Sequence, residues 1–364
     1  MDKDVFVIGM DLGASKTAVV ASNGRREMLP SIVGRPKDRV ARSMLGKDVL
    51  FGQEVFDNRL ALHVVRPFEK GMLKYSDPLE SGVSAERIEE HKKAAQLLVD
   101  RAVSLVQRPA GASVRGVIGV PSRASQANQQ LHLEAAESVF DSVIVVPEPF
   151  AVAYGMDRLQ NTLVVDIGAG TIDICAMCGT LPLEEDQVTI PIGGDAIDED
   201  FCRRLGELYP DAQLSIHKAR DIKERYGFVH GDHERAVVCL PTGTTRREFD
   251  VTEPLKSACQ IILEPLAEGL KRVISRVDPE FRARIMKNIL LSGGGSQLRG
   301  LDRAVESLLG VAVEPVVGRA YDCMFAGAVG AFKLAMAMTD EQWEVVYQKA
   351  ERSEAGPTRK LVTV

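Results

Sequence analysis

No apolar run in this chain approaches the ~18 residues needed to cross a bilayer, so a helical membrane span is excluded. There is no excess of basic charge either. The net charge is −6 at pH 7, which argues against nucleic acid as the main partner and against electrostatic docking onto anionic lipid. The opening residues, MDKD, lack the basic-then-apolar pattern of a secretory signal and are too short for an amphipathic anchor, so direct membrane insertion is not expected. Six cysteines include a single C-x-x-C, Cys175 and Cys178, with no second pair nearby. Cys175 lies inside the apolar run ICAMC and reads as a small core hydrophobe rather than half a zinc or redox site. A reduced, cytoplasmic setting follows. His230 and His233 have no evident third ligand and read as part of a polar loop. No low-complexity stretch divides the chain, yet 364 residues suit two domains, each with its own core.

What is present is an ordinary globular composition, 45% hydrophobic and 26% charged, with a mean hydropathy of −0.04. Strand signals fall at Val5–Met10, Thr17–Ala21, Gly116–Val120, Val143–Val146, Leu163–Asp166, Ile172–Met177, Ala236–Leu240 and Asn288–Leu291. Helical spacing predicts helices over Arg87–Gln107, Ala124–Phe140, Glu148–Leu159, Ile197–Leu208, Thr252–Val277 and Leu298–Leu309. Apolar strands alternating with helices indicate an α/β class. Residues 34–66 and 191–251 are more polar and turn-rich and read as insertions into α/β cores. The segment from Glu351 reads as a tail.

One short phrase is written twice: VFVIGMDLGASKT from Val5 and NTLVVDIGAGTID from Asn161. Each is a buried-strand run closed by an aspartate and followed by a glycine loop. Glycine lets backbone N–H groups approach an anion with no side chain in the way. The aspartate cannot face a phosphate, but it can hold the accompanying cation. Two such loops in two halves suggest a pair that clamps a nucleotide's phosphates. A third glycine loop, NILLSGGGSQLRGL from Asn288, follows another apolar strand and precedes a helix, a turn that suits close approach to a ligand.

The three loops in this order resemble the actin-type ATPase superfamily, which includes actin, heat-shock ATPases, sugar kinases and bacterial actins. The first phosphate motif is matched by Asp11, Gly13, Ala14, Ser15 and Lys16, and the second by Asp166, Gly168, Ala169, Gly170, Thr171 and Asp173. Gly293, Gly294, Gly295 and Ser296 match the adenosine motif. RDIKERYGFV is similar to the actin segment whose Lys-Glu pair contacts the nucleoside, here Lys223 and Glu224. The resemblance also assigns Gly193, Gly194 and Asp195 to nucleotide binding. RPFEKGML, VIGVPSRAS and VVPEPFAVAYG look like segments of the cell-shape bacterial actin MreB, and Glu148 sits where that family orients the attacking water. Ala169 stands where MreB carries a further glycine. VPSRASQAN, EEDQVT, DVTEPLKSAC and GGGSQLRGL are instead similar to the bacterial actins that align magnetosomes. Lys16 and the HGDHERA stretch depart from that pattern. Lys16 either adds positive charge near the phosphates or snorkels to solvent.

The resemblance implies two pseudo-symmetric RNase H-like domains with an inserted subdomain in each. Its boundaries would be subdomain IA at 1–33 and 67–155, IB at 34–66, IIA at 156–190 and 252–335, and IIB at 191–251. A helix at 336–350 would return to IA, and 351–364 would be the tail. It further implies ATP with Mg²⁺ in a cleft, the ion held largely through water by Asp11 and Asp166, and Glu148 positioning the lytic water. The implied partner is the chain itself, in a head-to-tail filament with magnetosome-associated adaptors, and ATP hydrolysis would set filament turnover. Alternatives of the same superfamily are a cell-shape MreB, a metabolic kinase and a chaperone ATPase. Against these stand the missing N-terminal membrane helix, the absence of a kinase-type acceptor base, and the lack of a substrate-binding domain after residue 340.

Overall fold

The structure is a computed structural model that describes residues 4–70, 72–74, 84–122, 124–231, 235–309 and 317–344, and the backbone of 360–363. His233, residues 345–350 of the expected C-terminal helix and most of the expected tail lie outside the described residues. The chain divides into two compact units, Met1–Arg158 with Met324–Val364, and Leu159–Cys323.

The first unit opens with β1 (Val5–Leu12), β2 (Lys16–Ala21) and β3 (Arg26–Pro30). A small region follows: β4 (Val33–Pro36), α1 (Arg39–Leu45), β5 (Leu50–Phe51), α2 (Gln53–Asp57) and β6 (Leu62–Val65). Its three strands pair as β5-β4-β6 over their own core of Ile32, Leu50, Val55 and Leu62. A hairpin, β7 (Phe68–Glu69) with β8 (Met72–Leu73), leads to α3 (Ala85–Leu105), β9 (Ser113–Val120), α4 (Gln126–Ala136), β10 (Ser142–Pro147) and α5 (Glu148–Gly155).

The second unit holds β11 (Gln160–Ile167), β12 (Ile172–Cys178), β13 (Gln187–Ile190), α6 (Gly194–Leu208), α7 (Ile216–Tyr226), β14 (Val237–Thr242) and β15 (Thr245–Asp250). It continues with α8 (Thr252–Cys259), α9 (Leu263–Arg276), α10 (Pro279–Met286), β16 (Ile289–Ser292), α11 (Leu301–Leu309) and β17 (Val317–Arg319). The chain then returns to the first unit with α12 (Ala326–Ala337) and β18 (Lys360–Thr363).

The two main sheets follow one plan. In the first, β1, β2 and β3 form an antiparallel meander, and β9, β10 and β18 add in parallel on the other side of β1. In the second, β11, β12 and β13 form the meander, and β16 and β17 add in parallel beside β11. The doubled sequence phrase is thus a doubled fold: each copy is the first strand of a meander and the turn after it. The parallel strands β10 and β16 are buried on both faces, which is why β10 reads as an unbroken SVIVVP and not as an alternation.

Differences from the sequence expectations have local causes. The expected helix over Thr252–Val277 is broken by a 3₁₀ turn at Gln260–Ile262, because Pro265 cannot donate to the helical ladder and its ring crowds the preceding turn. The helix expected over Glu148–Leu159 stops at Gly155, and Asp157 takes a positive φ of 56°. Helix α12 gave no amphipathic signal since small residues bury most of its circumference: Ala326, Gly327, Ala328, Gly330, Ala331 and Ala335. It packs on β1 and α5, so the chain rejoins the first unit before the expected residue 336.

That packing is backbone against backbone. A Cβ on Gly9 of β1 would lie 2.5 Å from the Phe332 Cα, and one on Gly155 would lie 2.8 Å from the Gly330 Cα. A Cβ on Gly330 would collide with the Ala151 carbonyl. Gly330→Ala therefore should cost about 3 kcal/mol or more in denaturant unfolding, since the clashing atom belongs to a helix and cannot rotate away. Unchanged stability would show that α12 does not lie this close to α5.

Candidate functional site

In the first unit, Asp11 stands near the C-terminal end of β1, the end at which open α/β sheets bind ligands. Its register partner on β9 is Gly119, which in turn pairs with Val146 of β10, and the chain leaves β10 into α5 at Glu148. A Cβ on Gly119 would lie 3.2 Å from the Glu148 Cγ. Asp11 and Glu148 therefore flank a bare strand residue. Glu148 opens α5 behind Pro147 and ahead of Pro149, where the helix dipole favours a carboxylate.

The first turn of α12 closes on the same carboxylate: a Cβ on Gly327 would lie 2.9 Å from Asp11 Oδ2. Burial pushes the Asp11 carboxyl up to about 7. Pairing of Leu12 with Thr17 leaves Gly13, Ala14, Ser15 and Lys16 as the turn of the β1–β2 hairpin. Gly13 is required there, since a Cβ would sit 2.7 Å from the Lys16 carbonyl. The turn is latched from β3's far end. The Ser31 hydroxyl donates to the Gly13 carbonyl at 2.6 Å and so accepts from Thr17 at 3.0 Å, while the Ser31 N–H donates to the Ser15 carbonyl at 2.8 Å. Lys16 is half-buried.

The second unit repeats the arrangement at Asp166, near the end of β11. Ile167 pairs with Ile172 and leaves Gly168, Ala169, Gly170 and Thr171 as the turn, closed by the Gly168 N–H on the Thr171 carbonyl at 2.9 Å. Here the latch comes from the start of α6. The Gly194 N–H donates to the Gly168 carbonyl at 3.0 Å, and the Asp195 N–H donates to the Ala169 carbonyl at 2.8 Å. Gly193 admits this approach, as its Cβ would lie 2.6 Å from the Ala169 carbonyl. The third loop packs on the same strand end. Gly293 has a φ of 76°, and a Cβ on it would lie 2.7 Å from Asp166 Oδ1. Gly294 opens a 3₁₀ turn, the Gly295 Cα sits against Ile167, and the buried Ser296 hydroxyl donates to the Gly293 carbonyl at 2.6 Å.

Lys223 of α7 has partners that the sequence did not reveal. Its ammonium donates to the Gly194 carbonyl at 2.6 Å and lies 2.8 Å from Asp198 Oδ1. Arg220 pairs with Asp198 at 2.9 Å and with Asp195 at 2.5 Å. Asp198 is fully buried, and burial pushes its carboxyl up against the pull of Lys223 and Arg220. This cluster ties α7 to α6 and to the loop that latches the second turn. Glu224, next in sequence, is on the exposed side of α7.

Within the first unit the structure thus gathers Asp11, the turn 13–16 and Glu148, and within the second Asp166, the turn 168–171, residues 193–195, Lys223 and the loop 293–296. Gly119, Gly327 and Ser31 were missed. Each is an isolated glycine or serine whose meaning comes only from a strand or helix distant in sequence. Cys175 is buried and Cys178 exposed, three residues apart on β12 and so on opposite faces, which removes a pair that could act together. Among the described residues no cluster of three or more His, Cys, Asp or Glu side chains could hold a metal by itself. His230 is exposed. No helix among the described residues is long and apolar enough to cross a membrane.

Within each unit a strand-end carboxylate stands beside a glycine turn, a pairing whose chemistry fits the cation and the phosphates of a magnesium nucleotide, and burial keeps the Asp11 carboxyl of the first unit partly neutral at pH 7.

Comparisons with known proteins place the chain in a family. A family model described as MreB/Mbl protein matches residues 6–340. The chain is 36% identical over 341 residues to the actin-like protein MamK of Paramagnetospirillum magneticum, covering 94% of this chain and 95% of that protein. A solved MamK double helical filament superposes with a TM-score of 0.86 at 36% identity, covering 92% of this chain and 100% of that one. A non-polymerising MamK mutant bound to AMPPNP gives a TM-score of 0.68 at 36% identity, over 92% of this chain and 99% of that one.

The raised Asp11 carboxyl has a consequence for stability. The folded state holds its proton up to about 7 and the unfolded chain only to the ordinary value of 3.8, so charging Asp11 imposes a stability penalty that is absent below about pH 4 and fully developed above about pH 7. Ligand-free Asp11→Asn should therefore melt above the unaltered protein at pH 8, with the difference shrinking to nothing near pH 4. A difference independent of pH would contradict the burial of this carboxylate.

Proposed function

The chain belongs to the MreB/Mbl protein family, and from that premise we propose that it is an actin-like ATPase that assembles with its own copies into filaments and hydrolyses ATP to control their turnover. The observation that carries this reading is the duplicated strand end: two units of one topology, each with a carboxylate and a latched glycine turn at the end of its first strand. The near-complete coverage of a filament-forming relative supports the self-assembly.

In this proposal the backbone N–H groups of turns 13–16 and 168–171 bind the ATP phosphates, and Asp11 and Asp166 hold Mg²⁺ largely through its waters. Magnesium, when bound, supplies the charge neutralisation that phosphoryl transfer needs. The loop 293–296, with Gly193, Gly194, Asp195, Lys223 and Glu224, lies toward the nucleoside. Lys223 acts there through the loop it holds as much as by direct contact, because its ammonium already engages Gly194 and Asp198. Glu148 accepts a hydrogen bond from the attacking water, lines it up with the phosphorus and takes its proton. Bare Gly119 lets the Glu148 side chain lie against the strand beside Asp11.

Assembly is a head-to-tail contact that does not close, which gives an open polymer whose stability follows the nucleotide state. Similarity to MamK favours filaments that organise magnetosomes, in the cytoplasm and with magnetosome-associated adaptors as partners. The second reading, a cell-shape MreB, is favoured by the family model alone.

Glu148→Ala should still bind ATP and still pellet as polymer with ATP and Mg²⁺, while phosphate release falls about a hundredfold. Normal turnover would remove Glu148 from its role. Turnover without any sedimentable polymer would turn the reading toward a metabolic kinase.

A further inference from the structure

Four residues form one line across the sheet of the second unit. Ser292 of β16 pairs with Asp166 of β11, Asp166 with Asp173 of β12, and Asp173 with Thr189 of β13. Register partners in neighbouring strands project to the same face, so all four side chains lie in a row. The matching line of the first unit is Gly119, Asp11, Ala18 and Met28, with one carboxylate and no hydroxyl. The second line is therefore an elaboration and not a requirement of the fold.

The two ends of the row are in different states. Thr189 donates to Asp173 Oδ1 at 2.6 Å, which engages the carboxylate on that side. Ser292 is fully buried, and its hydroxyl has no hydrogen-bond partner among the described residues. A buried hydroxyl without a partner costs stability and is uncommon enough to need a reason. Its position supplies one. Ser292 is the last residue of β16, beside Asp166 in register and directly ahead of Gly293, whose backbone closes on Asp166 Oδ1. A side chain of no function there would be served better by alanine, which fills nearly the same space and leaves nothing unsatisfied.

We propose that Ser292 is a positioning residue for the cation of the bound nucleotide: its hydroxyl bonds a water of the magnesium shell that Asp166 also holds, and so fixes that water and the carboxylate in one orientation. The inference rests on the proposed nucleotide reading. In the ligand-free chain the hydroxyl waits unpaired, and binding satisfies it. Ser292 thus contributes to the magnesium-dependent part of nucleotide affinity and to no other part.

The test is ADP binding by calorimetry, with excess EDTA and with Mg²⁺, for the unaltered protein, Ser292→Ala and Ser292→Thr, together with the melting temperature of each without ligand. Ser292→Ala should bind ADP in EDTA as the unaltered protein does, lose about tenfold of the affinity gained with Mg²⁺, and melt without ligand at the same temperature or higher. Ser292→Thr, which keeps the hydroxyl, should recover most of the magnesium-dependent gain. Equal losses with and without Mg²⁺, or a lower ligand-free melting temperature for Ser292→Ala, would give the hydroxyl a purely structural role and overturn the inference. So would an unchanged magnesium-dependent gain. If the unaltered protein itself gains nothing from Mg²⁺, the nucleotide reading fails first, and this inference with it.

Discussion

Everything at the candidate site depends on backbone approaching backbone more closely than any side chain would allow. Helix α12 lies on β1 and α5 through Gly9, Gly155 and Gly330, and this sets its first turn against Asp11 at Gly327. In the second unit Gly193 and Gly293 bring two further loops onto the end of β11. Close approach partly covers Asp11, and that desolvation is what raises its carboxyl. In each unit a carboxylate at a strand end beside a glycine turn suits a cation with its phosphates.

The two units reach this arrangement by different means. The first latches its turn with one residue, Ser31, through its hydroxyl and its backbone N–H, and the second with the backbone of residues 194 and 195. The second latch is anchored in turn by Asp198, Arg220 and Lys223, a buried ion cluster linking the turn to α6 and α7. Removing one member of such a cluster would leave a buried charge without its partner, so each member matters to the geometry around the second turn.

Much of this was legible in the sequence because it rests on local signals. The strand run, the closing aspartate and the glycine turn are contiguous, so both phosphate turns and the third loop could be placed by residue. Glu148 was placed by resemblance, through the contiguous segment VVPEPFAVAYG. Gly327 and Gly119 were not legible, as a glycine's role there is defined by which distant element lies against it. Lys223 was assigned to the ligand by resemblance, and its bond to Gly194 needed the fold to bring α7 beside the start of α6. Helix α12 was hidden because burial on most sides erases the periodicity by which helices are recognised. Ser292 was read only as part of a loop, and its unpaired hydroxyl is invisible without its register partner.

The most direct measurement is the proton released when the magnesium nucleotide binds. Calorimetric titration of Mg-ADP at pH 7, in two buffers of different ionisation enthalpy, reads that proton count. A cation held near Asp11 must ionise a carboxyl that is about half protonated at this pH, so release of about half a proton is expected from the unaltered protein and none from the same site in Asp11→Asn. Equal release from the two proteins, or none from either, would contradict a buried Asp11 that waits for the cation of a nucleotide.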